Sequence, residues 1–321
     1  MQKVLVTGAS GFIGSHLINK LTLDSGIETH AICKTNKGEW SDRGHLHIHQ
    51  LDFSRYDDWD NIIEPDCIIV NLAFLRNLPP LQNILVARKL FEACCRKGAK
   101  KLIHCSSATV VGSVKDDIVT EETPCKASTE YEKTKWQIEQ TLLKHNRSLQ
   151  EVIVLRPTAV FGSGGQNLVK LVNDLKCRSE GYNYLKSCLY QRRSMNLVSV
   201  ETVADSIKYF IKSPQTFDHE VFIVSDDEYP ENNFIDVEHQ LMNALGIQSY
   251  RIMRINLPRM MLSILLRLTK KSNFNPMRRY SCEKLLRCGF RKKTTFIESL
   301  KAYAKDLDHQ KMRDHSDQCM F

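Results

Sequence analysis

The sequence predicts an α/β protein built on a doubly wound parallel sheet, with a smaller second domain toward its C-terminus. Three observations predict it. Lys3–Val6 is a short apolar run followed at once by a glycine-rich turn and a helix-spaced segment. Asp66–Ala73 and Lys101–Ser107 are continuous apolar runs, the pattern of strands covered on both faces. Helix-spaced segments separate these runs, and such alternation calls for a parallel sheet.

The glycine turn reads Thr7-Gly8-Ala9-Ser10-Gly11-Phe12-Ile13-Gly14 and leads into Ser15–Leu21, which has helical spacing. Gly8 permits a tight turn, Gly11 lets a pyrophosphate approach the backbone, and Gly14 lets the helix pack close to the strand. The helix N-terminus then offers N–H groups and a positive dipole end to phosphates. The spacing G-x-x-G-x-x-G is one residue off the dinucleotide fingerprint of a Rossmann-type sheet. Taken alone, the same glycines also read as a flexible turn.

The chain has 321 residues, 42% apolar and 26% charged, and a net charge of +8. Length and composition suit one large globular domain or two intimate ones. The excess cations gather late, as in Lys270-Lys271, Arg278-Arg279 and Arg291-Lys292-Lys293. They read as a solvated basic face or as attraction to an anionic small molecule. No aromatic-interleaved basic stripe of a nucleic-acid binder is present. The 11 cysteines are scattered, with no CxxC pair. They point to a reducing compartment. No apolar run reaches the ~18–20 residues of a membrane span, and the chain starts directly with a strand. A cytoplasmic protein is expected.

Glu28–Lys34 is the second predicted strand. Folds that prefer NAD(H) carry Asp or Glu at its end, to bind the ribose 2′-OH. Here Lys34 stands there, with Lys37 and Arg43 beyond. A cation at that place suits the 2′-phosphate of NADP(H); a solvated lysine is the competing reading. His45–Phe53 alternates like a strand and puts His45, His47 and His49 on one face. Their spread along ~13 Å of strand is too long for one ion, so no metal is expected. Asp52 can accept from an adenine amino group or cap the next helix, around Trp59 and Ile62-Ile63. Pro79-Pro80 precede a helix over 81–97, closed by Gly98.

The fifth strand ends at Ser106-Ser107, where a ligand crevice outside the carboxyl ends of the strands is expected. Tyr131 and Lys135 are four apart on the following helix and share its face. An ammonium near a phenol lowers its pKa from about 10. Such a tyrosine exchanges a proton with an alcohol or carbonyl near neutral pH. The hydroxyl of Ser107 can hold the substrate oxygen.

At these residues the chain resembles the extended short-chain dehydrogenase/reductase family, of the NAD-dependent epimerase/dehydratase type. The resemblance continues through Leu51-Asp52, Asn71-Leu72-Ala73, Asn83, Ser106–Gly112, Glu122-Thr123-Pro124, Leu155-Arg156-Pro157 and Val160-Phe161-Gly162, about half the chain. It implies a bound NADP(H) or NAD(H), with Gly8, Ser10, Gly11, Phe12, Ile13, Gly14, Lys34, Asp52, Phe53, Leu72, Ala73, Asn83, Tyr131, Lys135 and Pro157 around it. It implies Tyr131 as acid/base, Lys135 on the nicotinamide ribose, and Ser107 with Thr109 on the substrate. Asn167, Arg192 and Arg193 resemble the segments that grip a sugar-nucleotide diphosphate, for which a guanidinium fork is suited.

Dehydratases of the family carry Asp-Glu where this chain has Ala108-Thr109, so dehydration is disfavoured. The expectation is a 4-epimerase or 4-ketoreductase of a nucleotide-activated sugar, in surface polysaccharide precursor synthesis. The alternatives are an NADPH-dependent reductase of a steroid- or flavonoid-like carbonyl, and a catalytically silent dinucleotide sensor. The resemblance also implies a homodimer through helices 81–97 and 131–145.

The dinucleotide-binding domain is expected over 1–157 and about 196–226, and the substrate-binding domain over about 158–195 and 227–308. Residues 309–321 read as a polar, frayed tail. Residues 258–269 read as a short apolar helix that packs on the body or in a dimer, with a peripheral membrane contact as the lesser reading.

Overall fold

The computed structural model describes residues 1–35, 40, 44–52, 59–144, 149–217, 219–255 and 275–318, with side chains as far as Leu307. Lys37, Arg43, Phe53 and the apolar segment 258–269 lie outside the described residues.

The first half alternates as expected: β1 (Gln2–Thr7), α1 (Phe12–Leu21), β2 (Ile27–Cys33), β3 (Leu46–Gln50), β4 (Ile68–Asn71), α2 (Pro80–Lys97) and β5 (Lys101–Cys105). Then come β6 (Ile118–Val119), α3 (Glu130–Lys144), β7 (Val152–Pro157), β8 (Ala159–Phe161), α4 (Val169–Cys177), α5 (Glu180–Tyr190) and β9 (Leu197–Ser199). The chain continues through α6 (Val200–Lys212), β10 (Glu220–Val224), α7 (Phe234–Ala244), β11 (Arg279–Tyr280), α8 (Glu283–Arg287) and α9 (Phe296–Gln318).

Seven strands form one sheet in the order β10-β7-β5-β4-β1-β2-β3, every neighbouring pair parallel. The order reverses between β1 and β4, which places a ligand crevice outside their carboxyl ends. The sheet is the Rossmann-type doubly wound sheet that the alternation predicts.

Alternation along β1 sends Val4 and Val6 to one face and Leu5 to the other. On the first face they meet Leu17, Ile18 and Leu21 of α1 and Ile207 and Phe210 of α6. On the second, Leu5, Ile69, Leu102 and Val154 lie under Leu90, Phe91 and Cys94 of α2 and Ile138 and Leu142 of α3. A third core, around Phe161, Leu175, Val237, Leu241 and Leu300, holds the C-terminal layer together.

Pro80 starts α2, and Gly98 ends it at φ 66°, a left-handed cap that glycine adopts without strain. Where a weak helix is expected after β3, the described residues hold a 3-10 turn, Trp59–Asn61, with Trp59 buried. At the other end, α9 runs on to Gln318 rather than stopping near 308.

The late chain returns to the first half. Arg278 is fully buried and donates to the carbonyls of Gly112, at 3.0 Å, and Val114. Beside it β11 pairs with β6, while Cys282, Leu285 and Phe290 enter the core of the main sheet.

Candidate functional site

The glycine turn sits at the topological switch. Gly8 has φ 67°, and a Cβ there would lie 3.0 Å from the Ala73 nitrogen. A Cβ on Gly14 would lie 2.2 Å from the Gly8 carbonyl oxygen, so α1 can approach the turn only with glycine there. Gly11 caps α1 without a side-chain acceptor, so the first N–H groups of the helix meet no cap there. Ser10 is half-buried beside it. A concave cradle that a Cβ would fill, at a bare helix N-terminus, fits a pyrophosphate. Phe12 and Ile13 can serve such a ligand through their backbone N–H groups. Their side chains are used elsewhere, Ile13 against the core and the Phe12 ring against Gly165, where an added Cβ would lie 2.6 Å from it.

A buried ladder crosses the strand ends. The Thr7 hydroxyl donates to Asn71 Oδ1 at 2.8 Å, and Asn71 Nδ2 donates to His104 Nδ1 at 3.2 Å. Thr7 also accepts from the Ala73 N–H at 3.4 Å, which ties Leu72-Ala73 to the turn. Burial holds His104 well below the usual imidazole range, so it stays neutral.

At the ends of β2 and β3, Lys34 Nζ lies 2.9 Å from Asp52 Oδ2. Lys34, expected at a 2′-phosphate, and Asp52, expected at the adenine, stand side by side at the strand ends. Pro157 is buried at the end of β7. Asn83 is buried too, but its amide serves the loop after β4. It accepts from the Leu75 N–H at 2.9 Å and donates to the Leu75 carbonyl at 3.0 Å. It thus ties down that loop, whose polar groups need partners where the chain leaves the sheet, and it also lines the cavity beside Tyr131.

Ser107, 9% exposed, exchanges a hydrogen bond with the exposed Thr109 at 2.9 Å. Tyr131 is 44% exposed and feels the Ser107 hydroxyl as a hydrogen-bond partner. Lys135 is buried one turn later, as the four-residue spacing requires. Its ammonium donates to the Cys105 carbonyl at 3.0 Å and lies 4.7 Å from the Phe74 ring centroid. That ring meets Tyr131 edge-on at 5.1 Å. The expected lowering of the tyrosine pKa does not appear. Desolvation raises the phenol above its usual value, the Ser107 hydroxyl opposes this, and desolvation lowers Lys135. Phe74, an apolar ring in contact with both groups, is part of that desolvating surround, and no motif signalled it. A cavity of about 400 Å³ lies beside the phenol, lined by Phe74, Arg76, Asn83, Glu130 and Tyr131 among others.

The helix that carries Tyr131 and Lys135 is anchored by Glu139, which takes a two-pronged grip from Arg156 at 2.6–3.1 Å. Both side chains are buried, so the pair is a strong positional constraint on α3.

Asn167 donates to the Val160 carbonyl at 2.8 Å and shapes the turn after β8. Arg192 is exposed, with Asp236 at 3.4 Å as an ion-pair partner. Arg193 lies over the Tyr190 ring, and desolvation lowers its pKa.

The sheet order and the glycine cradle at its switch point define a Rossmann-type protein. Residues 4–224 match the NAD dependent epimerase/dehydratase family, and the chain belongs to it. A UDP-glucose 4-epimerase of Cyamopsis tetragonoloba is 34% identical over 190 residues, 51% of this chain and 54% of the relative. The chain thus spans about half the length of such curated relatives. The N-acetyl-alpha-D-glucosaminyl-diphospho-ditrans,octacis-undecaprenol 4-epimerase of Escherichia coli O157:H7 is 25% identical over 267 residues, 80% of this chain and 74% of that one. Among solved structures, the dTDP-glucose 4,6-dehydratase of Bacillus anthracis, in complex with NAD, superposes with a TM-score of 0.74 at 19% identity. It covers 96% of this chain and 97% of its own, a likeness of fold. No described helix is long and apolar enough to cross a membrane.

Proposed function

We propose that the protein inverts or reduces C4 of a hexose carried on a diphosphate, as in a nucleotide-activated sugar, using a nicotinamide dinucleotide. The observation that carries this reading is the convergence of Ser107, Tyr131 and the buried Lys135 outside the strand ends, on the same edge of the sheet as the glycine cradle and two strands from it. Gly8, Gly11, Gly14 and the N-terminus of α1 would hold the pyrophosphate. The nicotinamide supplies hydride acceptance and donation at the sugar carbon.

This chain's own groups handle the proton. The phenol of Tyr131 gives a proton to the C4 oxygen or takes one from it. The Ser107 hydroxyl holds that oxygen in line. Lys135, fixed by the Cys105 carbonyl, keeps a positive charge one helical turn below the phenol. Ala108 and Thr109 carry no carboxylate, which disfavours elimination of water. The two relatives named as 4-epimerases support C4, and exposed Arg192 offers a guanidinium to the diphosphate. Surface polysaccharide precursor synthesis is the setting that such a reaction fits. Pairing of two chains through α2 and α3 belongs to the same reading. Leu81 and Leu85, four apart on α2, are 78% and 49% exposed and would be covered by it.

The test incubates the protein with NAD(H) or NADP(H) and a panel of UDP- and dTDP-hexoses, 4-keto sugars included, and reads C4 by proton NMR. Turnover is expected for at least one of them. Tyr131→Phe is expected to retain the dinucleotide and lose roughly 10²–10⁴-fold in kcat. A variant as fast as the parent overturns the mechanism. Arg192→Ala is expected to raise KM with kcat unchanged, the mark of lost uniform binding. An unchanged KM removes the diphosphate assignment.

A further inference from the structure

The three histidines of the third strand are too far apart along that strand for one ion, but the neighbouring strand changes the arithmetic. In the parallel register, His30 of β2 stands opposite His47 of β3, and Ile32 opposite His49. Glu28, His30, His47 and His49 therefore share one face at the edge of the sheet. We propose that Glu28, His30 and His47 form a binding site for a divalent transition cation of the zinc type.

The geometry is close to what such an ion needs. One ligand atom from each of the three residues lies within 4.8 Å of the others. Glu28 Oε1 is 3.0 Å from His30 Nε2 and 3.4 Å from His47 Nε2. Zinc bonds imidazole nitrogen and carboxylate oxygen at about 2.0–2.2 Å, so tetrahedral neighbours stand about 3.3–3.5 Å apart. Two edges of the tetrahedron already have nearly that length. The third closes by a rotation of His47, whose side chain is 45% exposed and has room to turn.

His30 is also held from behind. Its Nδ1 lies 2.9 Å from His49 Nε2, and the rings are stacked at 5.1 Å between centroids. Without an ion, His30 Nε2 donates to Glu28 at 3.0 Å; a cation that replaces this proton leaves the imidazole proton on Nδ1, where His49 Nε2 can accept it. A second nitrogen tied to an acceptor is the usual support of a ligating imidazole. Lys3, which pairs with Glu28 in the β1–β2 register, turns its ammonium to Glu64 at 2.5 Å and leaves the carboxylate to the histidines. One carboxylate with two imidazoles suits zinc and its neighbours better than calcium or magnesium, which take oxygen.

The site is separate from the proposed reaction. In the sheet, β1 and β4 stand between β2 and the strand that carries Ser107. Its effect is mechanical: β3 has one neighbour in the sheet, and a cation would cross-link it to β2 just before the Lys34–Asp52 pair.

The test uses the full chain, stripped with a chelator and titrated with zinc chloride by calorimetry and with cobalt(II) by visible absorption. One equivalent is expected per chain. Cobalt should show weak ligand-field bands without the intense thiolate charge-transfer band that the cysteines would give. His47→Ala and Glu28→Gln are expected to weaken binding roughly tenfold or more, and His49→Ala, which removes the outer partner, roughly 10–100-fold. His45→Ala should leave it unchanged. His45 is exposed and His47 half-buried, so circular dichroism of their variants should match the parent. The proposal is overturned by the absence of saturable binding, by binding that survives His47→Ala within twofold, or by a thiolate spectrum.

Discussion

Lys135 gives its ammonium to the Cys105 carbonyl at 3.0 Å, and the Phe74 ring contacts both it and Tyr131. The lysine is thereby a fixed charge under the cleft rather than a direct partner of the phenol. Desolvation raises Tyr131, so the phenol is fully protonated at neutral pH. Subtracting the alkaline ultraviolet titration of Tyr131→Phe from that of the parent should show this phenolate only above pH 10. Its appearance near pH 8 in the free protein would contradict the arrangement. Phe74→Ala removes an apolar ring packed on the phenol and should bring the titration down.

Lys34 and Asp52 neutralise each other at the end of the sheet edge. Asp52→Asn should release the lysine and tighten NADP(H) relative to NAD(H). Lys34→Asp should weaken NADP(H) and spare NAD(H). Fluorescence titration of the two reduced dinucleotides decides it; equal affinities in all three proteins would mean that Lys34 does not touch the 2′ position.

Gly165 packs on Phe12. A methyl there would lie 2.6 Å from the ring, so Gly165→Ala should destabilise the fold by about 1–3 kcal/mol through overpacking. Phe12→Leu in the same chain should recover part of the loss. The four proteins of this cycle, compared by urea denaturation, give the coupling. Strict additivity would exclude the contact as the cause.

His16 joins α1 to α6 and to the turn after β8. Its Nδ1 lies 2.8 Å from Glu201 Oε1, and its Nε2 lies 3.0 Å from the Ser163 carbonyl. Two acceptors favour the imidazolium, and the Glu201 hydrogen bond, the largest cause, raises the pKa above 6.5 against desolvation. A raised pKa gives stability that is whole below pH 6.5 and fades as pH rises through the folded value. Glu201 is held down to about 2, chiefly by His16, so its share is whole above 4.5 and fades as pH falls toward 2. The stability that this pair adds, read from melting temperature against pH, should therefore be largest between about pH 4.5 and 6.5. His16→Gln should flatten the alkaline side of that curve, and an unchanged slope would remove the histidine as its source.

Much of this fold is local and therefore legible. The β-branched run before Gly8, the Pro80 and Gly98 ends of α2 and the four-residue step from Tyr131 to Lys135 each rest on neighbours in the chain. What escapes the sequence is lateral. Phe74 reaches Lys135 across 61 positions, and nothing in Phe74-Leu75-Arg76 marks it as the wall of a cleft. His45, His47 and His49 mark a strand face, while the residues that complete the cluster come from another strand through a register that no periodicity encodes. Asn83 and Asp52 were readable as polar groups at the right places, but their partners, a loop backbone and a lysine, were not.

Arg278 reaches back 164 positions to the Val114 carbonyl. During synthesis at about 5–20 residues per second, that carbonyl waits on the order of 8–33 s for its donor. The matched span, 4–224, ends before the arginine is made. A nascent chain of that length has its glycine turn and its Tyr131 helix, yet the loop beyond Ser107 still lacks the residue that closes it. The last-made part of the described chain thus finishes a wall of the first, and a gene cut at the end of the family match would encode an unfinished protein.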